Sequence, residues 1–190
     1  MKKPLFIHIP KTGGTSYRRS LQSAGIRVYP LIGDTHHGYY KDILKENPEF
    51  ASDDYQPFTI IRNPWDRMVS IYHYYSQNTE ELTPTSKEFR DFPLEFLNDK
   101  RRWGWAHITQ SEWMRDVSGK NNVFVARFEN LIHDFKTLVN VIGTNKNIEL
   151  SHYRPSKRNI DYKFYYDENS KQIVQDLFQE DINNFGYTYA

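Results

Sequence analysis

The 190-residue chain contains no cysteine, so a disulfide framework, a thiolate nucleophile and a thiolate metal site are all closed to it. It also carries almost no net charge. Lys and Arg number 25 against 24 Asp and Glu, and the balance of +1 creates no overall field that would draw nucleic acid or an anionic surface. Any anionic ligand must be held by a local site. No apolar run approaches membrane-spanning length, and "MKKPLFIHIPK" lacks the sustained apolar core of an export signal. These absences lead to the expectation of a soluble, intracellular protein with no nucleic-acid partner and no membrane insertion.

What the chain does have is aromatic mass. Hydrophobic residues make up 38% of the sequence and Phe, Trp and Tyr alone 16%, which fits a globular core and an aromatic-lined cleft better than disorder. The length suits one domain over residues 1–190. "LFIHI" (5–9), "FTII" (58–61) and "NVFVARF" (122–128) are short, apolar and partly β-branched, as buried strands are, and "IRVYPLI" is a candidate for a further strand. Helical signals follow. "TSYRRSLQSAG" (15–25) starts with hydroxyl residues and ends at a glycine, Pro64 suits the first turn of a helix, and "ENLIHDFKTLVNVIG" (129–143) closes on Gly143. Trp65, Met68, Val69, Tyr72 and Tyr75 recur at helical spacing. Asp167 is a good cap for a last helix whose apolar stripe is Ile173, Leu177, Phe178 and Ile182. The region around 77–120 is less regular, with shorter helices on either side of "KRRWGWA". The alternation points to an α/β fold with a P-loop-like, three-layer arrangement: a mainly parallel central sheet flanked by helices.

Two strand-to-helix turns carry the chemistry. In "IPKTGGTS" (9–16), Gly13 and Gly14 let the backbone wrap closely, the helix start presents unpaired N–H groups, Lys11 adds a mobile ammonium, and Thr15 and Ser16 add hydroxyls. That set suits a phosphate-like group; the plainer reading is a tight turn capped by Thr15 with Lys11 in solvent. Lysine precedes the glycines, so the order is not that of a Walker A loop. In "IIRNPWDRMVS" (60–70), Arg62 at a strand end can clamp an anion by a charge-assisted fork, and Ser70 can add a hydroxyl. Arg67 has two readings, a salt bridge to Asp66 or a glutamate elsewhere, and a ligand contact.

With these motifs in order, the chain resembles the sulfotransferase superfamily, in particular its carbohydrate branch and soluble microbial or viral relatives. "IPKTGGTS" is similar to the family's 5'-phosphosulfate loop and "RNPWDRMVSIYHYY" to its 3'-phosphate motif. "ARFENL" and "YYDENSKQIVQDLFQEDINNFGYTY" resemble its later segments. The resemblance implies an enzyme that uses 3'-phosphoadenosine 5'-phosphosulfate (PAPS) as sulfuryl donor and releases 3'-phosphoadenosine 5'-phosphate (PAP). It places Lys11, Thr12, Gly13, Gly14, Thr15 and Ser16 at the 5'-phosphosulfate, Arg62 and Ser70 at the 3'-phosphate, and Arg158 in a loop that closes over the nucleotide. Lys11 would also steady charge on the bridging oxygen.

Sulfuryl transfer needs a base for the acceptor hydroxyl, and because the donor already carries a good leaving group, no metal is required. The family register, a histidine followed by an acidic and an apolar residue, implies His37, with Asp42 and Ile43 behind it. His36, Asp34 and Asp42 are the alternatives. The resemblance implies a hydroxylated acceptor, a sugar or glycan. Trp103 and Trp105 could stack on sugar rings and Lys100, Arg101 and Arg102 hold an acidic glycan, or the same residues could pack and solvate a lid. Two other classes stay open from the residues alone, a Mg-dependent P-loop phosphotransferase and a non-catalytic nucleotide-binding protein.

Overall fold

The protein was analysed as a computed structural model, which describes residues 1–30, 38–78, 84, 88–99, 102–116, 118, 123–151 and 161–189. In chain order the elements are β1 (Lys3–Phe6), α1 (Gly14–Ser23), α2 (Tyr40–Glu46), β2 (Tyr55–Ile61), α3 (Pro64–Asn78), α4 (Phe92–Asn98), α5 (Gln110–Trp113), β3 (Phe124–Arg127), α6 (Leu131–Ile142), α7 (Glu168–Leu177) and α8 (Gln179–Phe185). Short 3-10 turns at Pro48–Ala51, Phe89–Asp91, Gly104–His107, Phe128–Asn130 and Tyr162–Tyr165 join them.

The expected parallel sheet is present, in the order β1-β2-β3. Register runs from Lys3 opposite Tyr55 to Phe6 opposite Phe58, then from Phe58 opposite Phe124 to Ile61 opposite Arg127. Pairing continues past β1, because the Ile7 N–H donates to the Phe58 carbonyl at 2.9 Å and the Thr59 hydroxyl donates to the Ile7 carbonyl at 2.7 Å. The strand expected in "IRVYPLI" is reduced to one parallel bridge between Leu5 and Tyr29, and Leu31 and Ile32 lie outside the described residues.

The chain divides into two compact units. The first comprises Met1–Ile61 with Gln110–Pro155 and contains the whole sheet. Side chains alternate along a strand, so Phe58 and Ile60 share one face; there they pack with Tyr17 and Leu21 of α1 and with Phe135, Leu138 and Ile142 of α6. Leu5, Ile7, Thr59 and Ile61 are fully buried as well, as expected of a parallel sheet covered on both faces. The Tyr17 hydroxyl donates to the Leu131 carbonyl at 2.8 Å, tying α1 to the start of α6. Gly143 ends α6 at φ 71, the left-handed conformation the sequence led us to expect there.

The second unit comprises Arg62–Thr109 with Ser156–Ala190 and is helical. Its core is aromatic: Trp65, Tyr75, Phe89, Phe92, Phe96, Trp103 and Phe178 are buried together. Burying each such side chain contributes roughly 1.5–3 kcal/mol. Asp167 caps α7 as expected, its carboxylate accepting from the Ser170 N–H at 2.8 Å while the Ser170 hydroxyl accepts from the Asp167 N–H at 3.0 Å. The C-terminal apolar stripe is carried by two helices, because the chain leaves helical geometry at Phe178 (φ -120, ψ 27). Val174 and Phe178 are its deepest members, and Ile173 and Leu177 are half-buried.

Candidate active site

The turn after β1 is shaped by its own backbone. The Thr12 hydroxyl is buried and donates to the Ile9 carbonyl at 2.8 Å, so it closes the turn rather than facing outward. Lys11 stands at φ 68, in the left-handed region that costs an L-residue about 1–2 kcal/mol. Gly13 also has positive φ, 87, and is the N-cap of α1 with no side-chain cap bond. Gly14 is glycine for another reason: a Cβ there would stand 2.4 Å from Phe6 Cζ and 2.8 Å from His8 Cδ2. The His8 ring itself stacks on Phe6 with centroids 4.9 Å apart. The loop therefore lies directly on two aromatic rings.

At the helix start, the Ser16 N–H donates to the Gly13 carbonyl at 3.1 Å, whereas the N–H groups of Gly14 and Thr15 precede any intrahelical acceptor. Ser16 is buried; Lys11 and Thr15 are half-buried. The plainer reading of this turn is altered in two respects. Thr15 is not the cap, and Lys11 is half-buried in a left-handed conformation. Backbone donors and the positive end of α1 are what an oxyanion needs, and the missing Cβ of Gly14 lets the helix start lie against Phe6 and His8.

The second turn uses side chains. Arg62 follows directly on Ile61, the last residue of β2, and is only 4% exposed. Its Nε donates to Asp66 Oδ2 at 2.6 Å, and Asp66 is buried too. Asn63 is the reason Asp66 is so well placed. Its Oδ1 accepts from the N–H of Trp65 at 3.0 Å and of Asp66 at 3.5 Å, capping α3, while Nδ2 donates to the Thr188 carbonyl at 3.0 Å. Pro64 takes the first helical position, where no N–H is missed.

For Arg67, the salt bridge to Asp66 is corrected by the structure. Its carboxylate is not Asp66, which is engaged with Arg62; Asp181 is the acidic group that favours its charge. Its guanidinium is buried, donates to the Ile108 carbonyl at 3.3 Å and lies over the Phe178 ring at 5.7 Å. Burial, with repulsion from Arg62 behind it, pushes its pKa down to about 10, so it remains a cation at neutral pH. Ser70, on α3, is half-buried.

Several expected site residues fall outside the described residues: the base His37, its alternatives His36 and Asp34, the loop residue Arg158, and Lys100 and Arg101. Among the described acceptor candidates, Trp103 is unavailable for stacking on a sugar. It is fully buried against Tyr75, Phe92 and Phe96, and its neighbour Arg102 pairs with Glu95 at 3.1 Å and covers its ring. Trp105 is half-buried and stacks on Tyr75. Sequence reasoning offered Asp66 to Arg67 as one alternative, and the structure pairs it with Arg62. The available signal was its position four residues after Arg62, one helical turn on.

Known proteins can be set beside this arrangement. The model of the sulfotransferase family matches residues 2–188, nearly the whole chain. No curated protein matches the sequence significantly. The fold is similar to that of mouse sulfotransferase SULT7A1, solved complexed with PAP, with a TM-score of 0.62 and 15% identity, covering 96% of this chain and 84% of that one. At that identity the likeness speaks to fold. The family match, its span and the two strand-to-helix turns lead to one conclusion: the chain belongs to the sulfotransferase family.

Proposed function

We propose that this sulfotransferase-family enzyme moves a sulfuryl group from PAPS to the hydroxyl of a sugar, glycan or similar small acceptor. The observation that carries the reading is the turn after β1, where a left-handed lysine and two sterically required glycines frame the unpaired N–H groups of Gly14 and Thr15. The 5'-phosphosulfate takes this cradle, with Lys11 and Gly13 to Ser16 around it and Thr12 holding the turn closed. Arg62 and Ser70 take the 3'-phosphate, the group that separates PAPS from ATP, and Arg158 belongs to the segment closing on the nucleotide.

In the reaction, the acceptor oxygen forms a bond to sulfur as the bond from sulfur to the 5'-phosphate oxygen breaks. His37 removes the acceptor proton, and the charge left on the departing phosphate falls to Lys11 and the loop N–H groups. The phosphotransferase alternative wants an acidic group near a strand end to organise Mg²⁺. Asp66 occupies such a position and is ion-paired with Arg62, which favours an anion site there over a metal site.

The test is incubation with sulfur-labelled PAPS and a panel of hydroxylated acceptors in chelator, for wild type and His37→Ala. Labelled sulfate ester should form with wild type and drop by roughly 10²-fold or more in the variant, with PAP affinity kept. Transfer at the wild-type rate by His37→Ala would move the base to His36, Asp34 or Asp42.

A further inference from the structure

We infer that Asp66 is a positioning residue for nucleotide selection: through Arg62 Nε it holds the guanidinium in the orientation that recognises the 3'-phosphate. The inference rests on the proposed reading of Arg62 as the 3'-phosphate residue. Arg62 and Asp66 are both buried, and Arg62 Nε donates to Asp66 Oδ2 at 2.6 Å. An arginine side chain has many rotamers and a planar fork, so its selectivity for an oxyanion depends on how that plane is fixed. A bond at Nε fixes that plane near the root of the fork.

The carboxylate is itself anchored. Asp66 lies in the first turn of α3, its N–H accepted by Asn63 Oδ1, and a negative charge there is favoured by the helix dipole. In a capping box, an acidic residue at this helical position reaches back to the N-cap backbone. Here it reaches one residue further, to the side chain before the cap. Cap, helix start and arginine orientation thus form one unit within five consecutive residues, Arg62 to Asp66.

Simple electrostatics makes the opposite forecast, which gives the inference its test. A buried carboxylate beside an anion site repels the anion, so deleting one that serves only to neutralise Arg62 should strengthen phosphate binding. Deleting one that aims Arg62 should weaken it. The experiment is calorimetric titration of wild type, Asp66→Asn and Asp66→Ala with PAP and with adenosine 5'-monophosphate (AMP), which lacks only the 3'-phosphate. Thermal unfolding of each protein confirms that the species titrated is folded.

The expected result is a loss of PAP affinity of about tenfold in Asp66→Ala and about threefold in Asp66→Asn, which keeps an acceptor oxygen, with AMP affinity unchanged in both. An unchanged or improved PAP to AMP ratio in the variants overturns the positioning role, and Asp66→Asn alone decides the matter if Asp66→Ala does not fold. A wild type that binds PAP no better than AMP overturns the reading of Arg62 itself. The two failures are thereby told apart.

Discussion

The turn after β1 is made of backbone: one residue and one glycine at positive φ, a second glycine pressed against Phe6 and His8, and free N–H groups at the head of α1. The turn after β2 is made of side chains, a buried guanidinium, a buried carboxylate 2.6 Å from it, and an asparagine cap that holds the carboxylate in place. Both leave the carboxyl ends of adjacent parallel strands, and each is proposed to take one end of the nucleotide. The difference is in what each tolerates. A backbone cradle fails when atoms are added, whereas an ion-paired side chain fails when atoms are removed.

Arg62→Ala should have the largest effect. It leaves Asp66 buried without its 2.6 Å partner, which costs about 3–5 kcal/mol of stability, and it removes the preference for PAP over AMP. Denaturant unfolding and paired titrations measure the two separately, and a variant that keeps its PAP preference breaks the assignment of the second turn. Gly14→Ala comes next, through added atoms. A methyl 2.4 Å from Phe6 Cζ forces the ring or the turn to move, at about 1–3 kcal/mol, and PAP and AMP should weaken together because the 5' end is common to both. Selective loss of PAP alone would contradict the separation of the two sites.

Lys11→Gly sharpens the contrast further. Relief of the left-handed strain at φ 68 is offset in part by the flexibility of glycine, so stability should be unchanged or rise by up to about 1 kcal/mol while sulfuryl transfer is lost. A clear fall in stability would mean that the lysine is there to hold the fold.

The smallest effect lies away from both turns. The hydroxyl and N–H of Ser170 hold the Asp167 carboxyl below the usual carboxylate range, so its stabilising contribution is present above the unfolded pKa and is lost as pH falls through the folded one. Asp167→Ala should therefore cost about 1 kcal/mol at neutral pH, and the gap from wild type should close below about pH 4, with nucleotide binding unaffected.

The two turns were legible in the sequence because their parts are contiguous. A strand, a glycine pair and a helix start lie within residues 5 to 25, and the Arg-Asn-Pro run marks a strand exit and a helix cap on one line of text. The caps at Gly143 and Asp167 were legible for the same reason. Less legible were features decided by packing. Nothing local tells that Trp103 is buried among Tyr75, Phe92 and Phe96 rather than offered to a sugar, because those partners are up to 28 residues away. The pairing of Asp66 with Arg62 rather than Arg67 depends on which way each arginine leaves the helix start. No glycine or proline marks the break at Phe178, which is buried together with Asp181.

The central claim is that the chain binds a 3'-phosphorylated adenine nucleotide as its working ligand. Calorimetric titration of the wild-type protein with PAP, AMP, ADP and ATP, with and without Mg²⁺, addresses it most directly. The account predicts metal-independent binding with PAP at least about tenfold tighter than any of the other three. Tightest binding to ATP, appearing only with Mg²⁺, would contradict it.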